Sequence, residues 1–133
     1  RPMVRVYGPA TTEGRGGTVA CNLLAPDGRV VDCRRVEAAA IAAGVSLRTG
    51  YFCNPGAAET SFELPEHDAR RCFDELAGDD FTLQRFSACL ADRPVGAVRL
   101  SLGLSSNAAD VRRGVEVLAA CAREHAALGA TAA

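Results

Sequence analysis

Between Gly96 and Leu104 the chain alternates with a period of two: Val98, Leu100, Leu102 and Leu104 share one face, and Ala97, Arg99 and Ser101 share the other. The pattern predicts a strand with one buried face, because a slip of one residue would turn every one of those aliphatic side chains into water. Such a strand needs partner strands at its sides and an apolar cover over its aliphatic face, so the rest of the chain has to supply both. Val4-Arg5-Val6-Tyr7 alternates as far as the turn signal Gly8-Pro9, and Thr18-Val19-Ala20-Cys21-Asn22-Leu23-Leu24 forms a second strand-like run closed by Pro26-Asp27-Gly28. Gly14-Arg15-Gly16-Gly17 has the composition of a phosphate-binding loop, but a strand rather than a helix follows it, so it reads as a flexible lead-in.

The cover comes from helices. Asp32 is placed to cap a helix from Cys33 to about Ala43 with Val36, Ala39, Ala40 and Ala43 on one face, and Gly44 supplies a left-handed C-terminal cap. Pro65 opens a second helix with Ala69, Cys72, Phe73 and Leu76 as its apolar stripe, stopped by Gly78. A third spans about Phe81 to Leu90, capped by Asp79-Asp80 and broken by Asp92-Arg93-Pro94; a fourth starts at Ser106 or Asn107, carries Val111, Val115, Leu118 and Ala122 as a core stripe, and runs to about Ala127. The expected fold class is α+β: a two-layer sandwich, with a small antiparallel or mixed sheet and helices packed on one side. With no repeat and no long linker, residues 1–133 read as a single domain, 1–14 as a lead-in strand and turn and 129–133 as a frayed tail.

A hydrophobic content of 48% without an apolar run long enough for a bilayer, and without a signal-like start, points to a soluble protein with a cytoplasmic location as the default and no membrane partner. The 15 basic and 16 acidic residues form no basic block, which removes the electrostatic footprint of a nucleic-acid binder. Cysteines 21, 33, 53, 72, 89 and 121 are scattered, lack a CxxC pair and fall largely at apolar positions, so they read as reduced core residues rather than as disulfide partners or zinc ligands. His67 and His125 fall in expected helices without catalytic neighbours.

The stretch Val45 to Glu59, VSLRTGYFCNPGAAE, stands apart. Val45-Ser46-Leu47 reads as the end of a half-buried strand and Asn54-Pro55-Gly56 as a turn, which puts Cys53 in a loop just past a strand. A thiol so placed can reach a substrate, and a cation such as Arg48 brought close to a thiol favours its nucleophilic form. Taken by themselves the residues also allow Cys53 to be a small buried hydrophobe.

Leu47-Arg48-Thr49-Gly50-Tyr51-Phe52-Cys53-Asn54-Pro55-Gly56-Ala57 resembles the active-cysteine loop of molybdenum cofactor sulfurases, pyridoxal-phosphate enzymes of the class V aminotransferase and cysteine desulfurase superfamily. Thr18 to Leu24 with Asp27-Gly28 resembles the strand and turn that open that family's C-terminal subdomain, and Gly96-Ala97-Val98-Arg99-Leu100-Ser101-Leu102-Gly103 resembles its late arginine-bearing strand. The resemblance implies the C-terminal small domain of a fold-type I enzyme. It also implies that Cys53 takes sulfur from L-cysteine as a persulfide, that Arg99 grips the substrate carboxylate, and that Arg48 is a second active-site arginine. On residue type alone, Arg99 also fits a solvated strand face and Arg48 a structural ion pair.

All the basic residues are arginine, so the chain has no ε-amine to anchor pyridoxal 5'-phosphate. The cofactor lysine is therefore expected in a large domain upstream in the same protein, with this chain a C-terminal fragment of it and the complete enzyme a homodimer. Sulfurases of this kind carry further cysteines where this chain has Tyr51 and Ala58, which leaves open whether molybdenum cofactor is the sulfur acceptor. Two other readings stand beside this one: an aminotransferase or lyase domain that does not use Cys53, and a non-enzymatic domain that relays sulfur or binds a partner.

Overall fold

The computed structural model describes residues 3–53, 62, 64–78, 81–90, 93 and 95–130, with Leu83 and residues 126–130 described by their backbone alone. The alternating segments become strands β1 (Val4–Tyr7), β2 (Thr18–Leu23), β3 (Arg48–Gly50) and β4 (Ala97–Ser101). They form one sheet in the order β1-β2-β4-β3, antiparallel throughout. Helix α1 (Cys33–Ala42) follows β2, α2 (Glu66–Glu75) and α3 (Leu83–Cys89) lie between β3 and β4, and α4 (Ala108–Ala130) ends the chain. The architecture is α+β, with helices packed against the sheet as expected.

Alternation sorts the sheet into two faces. Cys21, Leu23 and Val98 meet Val36 and Ala40 of α1 and Val117, Leu118, Cys121 and Ala122 of α4 in the main core. The opposite face carries Tyr7 and Ala97 in a smaller cluster with Tyr51, Phe52 and Phe62. Two local devices fix α1 over the first face. Asp32 Oδ1 accepts a hydrogen bond from the Arg34 backbone N–H at 2.9 Å, and the Arg34 guanidinium bonded to the same carboxyl holds it below the ordinary carboxylate range. At the other end Gly44 adopts φ +70°, its N–H donates to Ile41 and that of Val45 to Ala40, which is a Schellman closure; Arg113 of α4 donates to the Ala43 carbonyl at 3.0 Å. Thr49 Oγ1 donates to Glu37 at 3.1 Å, tying β3 to the same helix.

Several expectations are corrected. β4 stops at Ser101, because its β2 neighbour begins at Thr18, which pairs Ser101; beyond it one bond from Leu102 N–H to the Gly17 carbonyl remains. Leu102 and Leu104 are consequently exposed, Leu104 completely. The strand read at Val45 to Leu47 lies at Arg48–Gly50, while Val45 and Leu47 are half-buried against the core as the link from α1. Asn107 is the cap of α4, accepting from Ala109 N–H at 2.7 Å, but Val111 and Val115 are exposed: this end of α4 stands off the sheet across a groove of about 490 Å³ that Val4, Val6 and Leu102 also line. The helix runs to Ala130, past the end expected at about Ala127, in keeping with the helix propensity of its alanines. Thr82 accepts from the first turn of α3; the Asp79-Asp80 pair, the Asn54-Pro55-Gly56 turn and residues 131–133 lie outside the described residues.

The cysteine expectation fails at one pair. Cys72 of α2 and Cys89 of α3, with Cα atoms 5.8 Å apart, are joined in a disulfide, and Cys72 is fully buried beside Phe86 and Leu90. The helical patterns had given each cysteine an apolar face without showing that the two faces meet. Chain purified without reductant and denatured is expected to titrate four thiols, at Cys21, Cys33, Cys53 and Cys121, and six after reduction. Six thiols in the unreduced sample would remove the cross-link.

Candidate functional site

The outer face of the sheet, away from α1 and α4, carries Arg99 and Arg48, and Cys53 follows the Gly50–Ala97 end of the β3–β4 pair. Arg99 and Arg48 stand directly opposite each other across that antiparallel pair. Like charges in this register repel, so the arrangement costs stability unless an anion lies between or above them. Arg48 is exposed, whereas Arg99 is partly buried and its Nε has no hydrogen-bond partner among the described residues. A buried guanidinium N–H left unpaired is unfavourable in the protein by itself, and a bound carboxylate would satisfy it.

Cys53 follows β3 by three positions and is exposed, in contrast to buried Cys21 and Cys121 and half-buried Cys33. The exit from β3 is made by Gly50 at φ +110°, and then Phe52 and Cys53 take φ +56° and +58°. Two successive non-glycine residues in the left-handed region are unfavourable by roughly 1–2 kcal/mol each, so contacts elsewhere must hold them there. The Phe52 ring provides one: the Arg99 guanidinium carbon sits 4.9 Å from its centroid. Gly96 lets the two strands approach closely at this point: a Cβ there would lie 3.1 Å from Gly50 Cα and 3.2 Å from Cys33 Sγ, so its neighbours would have to give by a few tenths of an ångström.

Beside these residues lies a polar pair that reading the sequence missed. Asn22 is completely buried, its Nδ2 donates to the Tyr7 hydroxyl at 3.0 Å, and its Oδ1 is unpartnered among the described residues. Burial pushes the Tyr7 phenol up, against the lowering influence of Asn22 and Arg5. Phe62 closes over this region, 5.3 Å edge-on from Tyr7 and 5.9 Å from Tyr51 between ring centroids. An asparagine in the middle of a β-branched run was the available signal, since asparagine is depleted in strands unless its amide has a use there.

Among the described residues no cluster of three His, Cys, Asp or Glu side chains could hold a metal ion, and no helix is long and apolar enough to cross a membrane. His67 is exposed on α2 next to Asp68, and His125 lies on α4; neither is on the outer face of the sheet. The described residues therefore offer an exposed thiol on a turn of two left-handed residues, two opposed arginines of which Arg99 has an Nε without a hydrogen-bond partner among them, and the Phe52 ring against Arg99.

Comparison with known proteins gives one consistent family. The chain is 36% identical over 124 residues to molybdenum cofactor sulfurase 2 of Culex quinquefasciatus, which is 90% of this chain and 16% of that protein. It is 34% identical over 105 residues to the molybdenum cofactor sulfurase of Arabidopsis thaliana, 77% of this chain and 12% of that protein, and 37% identical over 110 residues to that of Solanum lycopersicum, 81% and 13% respectively. The chain is thus related to molybdenum cofactor sulfurases over most of its own length while spanning 12–16% of theirs. No family model and no solved structure matches.

Proposed function

We propose that this chain is the sulfur-accepting domain of a pyridoxal-phosphate-dependent sulfurtransferase, with Cys53 as the nucleophile, L-cysteine as the sulfur donor and Arg99, helped by Arg48, as the holder of the donor's carboxylate. The observation that carries the proposal is the contact of Phe52, the residue before exposed Cys53, with Arg99, whose Nε has no hydrogen-bond partner among the described residues. An anion held at Arg99 fits that orphaned donor, and the guanidinium fork suits a carboxylate.

The chain's residues do not include an amine that would anchor the cofactor, so its part is to bind, orient and accept. Arg99 fixes the donor by its carboxylate, and Phe52 and Tyr51 keep an apolar wall beside it. The Cys53 thiolate then forms a bond to the donor's sulfur as the donor's carbon–sulfur bond breaks. The electron pair stays on carbon, which takes a proton and leaves as L-alanine, and Cys53 is left as a persulfide. Pyridoxal phosphate, which a lysine outside these 133 residues would hold, would supply the electron sink for that cleavage. Its relatedness to molybdenum cofactor sulfurases makes molybdenum cofactor the first acceptor to test. Homodimerisation of the complete protein is part of the same proposal.

The test is to locate the sulfur. The complete protein is given L-cysteine in a single turnover, its thiols and persulfides are alkylated at once, and the peptides are mapped. The additional sulfur atom is expected on the Cys53 peptide. Its appearance on the Cys33 peptide, or nowhere, would reject the assignment of the nucleophile.

A further inference from the structure

The turn that carries Cys53 is held in an unfavourable conformation, and the described contacts show what holds it. Cys53 is exposed, and among the described residues the contacts that bear on the pair at φ +56° and +58° are those of Phe52. Phe52 is half-buried, packs into the cluster of Phe62 and Ala97, and lays its ring against the Arg99 guanidinium at 4.9 Å. That guanidinium has two sides to its surroundings: its carbon lies over the ring, while its Nε has no hydrogen-bond partner among the described residues.

We propose that Phe52 is a positioning residue, a latch that holds the Cys53 turn against Arg99 while the arginine is empty and lets it go when a carboxylate binds there. The release follows from electrostatics. The ring quadrupole attracts a bare cation; a carboxylate bonded to the guanidinium edge cancels most of that charge, and the attraction to the ring falls with it. With the latch weakened, the two left-handed residues relax and the thiol gains the freedom to advance on the bound donor. The carboxylate arm rests on the reading of Arg99 proposed above, whereas the latch itself depends only on Phe52 and Arg99. Arrival of the donor thereby frees the nucleophile that is to attack it, and an empty site keeps the thiol in place.

Backbone ¹⁵N relaxation on the 133-residue chain tests this. The amides of Phe52 and Cys53 are expected to show order parameters near those of rigid backbone, about 0.85, and to fall below about 0.6 in Phe52→Leu, which keeps an apolar side chain of similar reach but has no ring quadrupole. Phe52→Tyr should restore the rigid value, Arg99→Met should loosen the turn as Phe52→Leu does, and the double variant Phe52→Leu/Arg99→Met should loosen it no further. A rigid turn in Phe52→Leu, or equal loosening in Phe52→Leu and Phe52→Tyr, overturns the latch, because plain packing would then account for the contact. Titration with L-alanine, a carboxylate probe without a thiol, should shift the Arg99 Nε–Hε resonance and lower the order parameters at Phe52 and Cys53, with no response of the turn in Arg99→Met. A shifted Arg99 resonance with an unchanged turn overturns the release while leaving carboxylate binding intact; no shift at Arg99 overturns both.

Discussion

Replacing Cys53 by serine in the complete protein is expected to lower persulfide formation from L-cysteine by on the order of 10³-fold or more, with cofactor binding unchanged. The hydroxyl is far less nucleophilic toward sulfur than a thiolate, and the chain offers no ready substitute: Cys21 and Cys121 are buried, and burial pushes their thiols up, away from the thiolate form. Cys33 is half-buried on α1 and pushed up by burial and by Asp32. In the same assay Arg99→Ala should raise the Michaelis constant and lose about 2–4 kcal/mol of transition-state stabilisation, the range for removing one partner of a close charged pair. Arg99→Lys should recover part of that, since a point charge lacks the guanidinium fork. Full persulfide yield in Cys53→Ser would transfer the function to an aminotransferase or lyase that does not use this thiol, and an unaltered Michaelis constant in Arg99→Ala would make the arginine a structural feature of the sheet.

The second large effect concerns the fold that presents the site. Leu23 is 0% exposed at the centre of the main core, between the sheet and both covering helices, so Leu23→Ala should cost about 2–5 kcal/mol through lost burial and the cavity left behind. Leu104→Ala, at a position 110% exposed, should change stability by less than about 0.5 kcal/mol. Urea unfolding of the two variants separates them. A large loss at Leu104 would mean that the aliphatic alternation continues into the core past Ser101.

That contrast marks how far the sequence carries. Period-two alternation was sufficient to put Val98 and Leu100 on the core side and Arg99 on the other, because the pleat of a strand is a local property. It was insufficient to end the strand. The end at Ser101 is set by where β2 begins, and Leu102 and Leu104 look like core positions until the partner's length is known. The caps of α1 were legible for the same local reason, Asp32 at one end and Gly44 at the other. Val111 and Val115 were misread because a helix stripe tells which side is apolar but not how much of it the sheet reaches. At the site, Cys53 in a loop after a strand was readable, and Arg99 on the outer face was readable. Their coupling through Phe52, the opposition of Arg48 to Arg99, and the buried Asn22–Tyr7 bond were not, since each joins residues from different elements through pairings that only the assembled sheet defines.

The strand order has a temporal side. β4 lies between β2 and β3, although both precede it in the chain. A ribosome delivers residues from the N-terminus onward, so β2 and β3 emerge with a strand-wide gap between them that nothing yet synthesised can close. The gap closes when residues 97–101 arrive, and the same event sets Arg99 opposite Arg48 and under the Phe52 ring. A nascent or truncated chain ending before β4 therefore carries Cys53 but neither its arginine nor its restraint. The opposition of Arg99 and Arg48 comes into being late, in one step, as the central strand slots home.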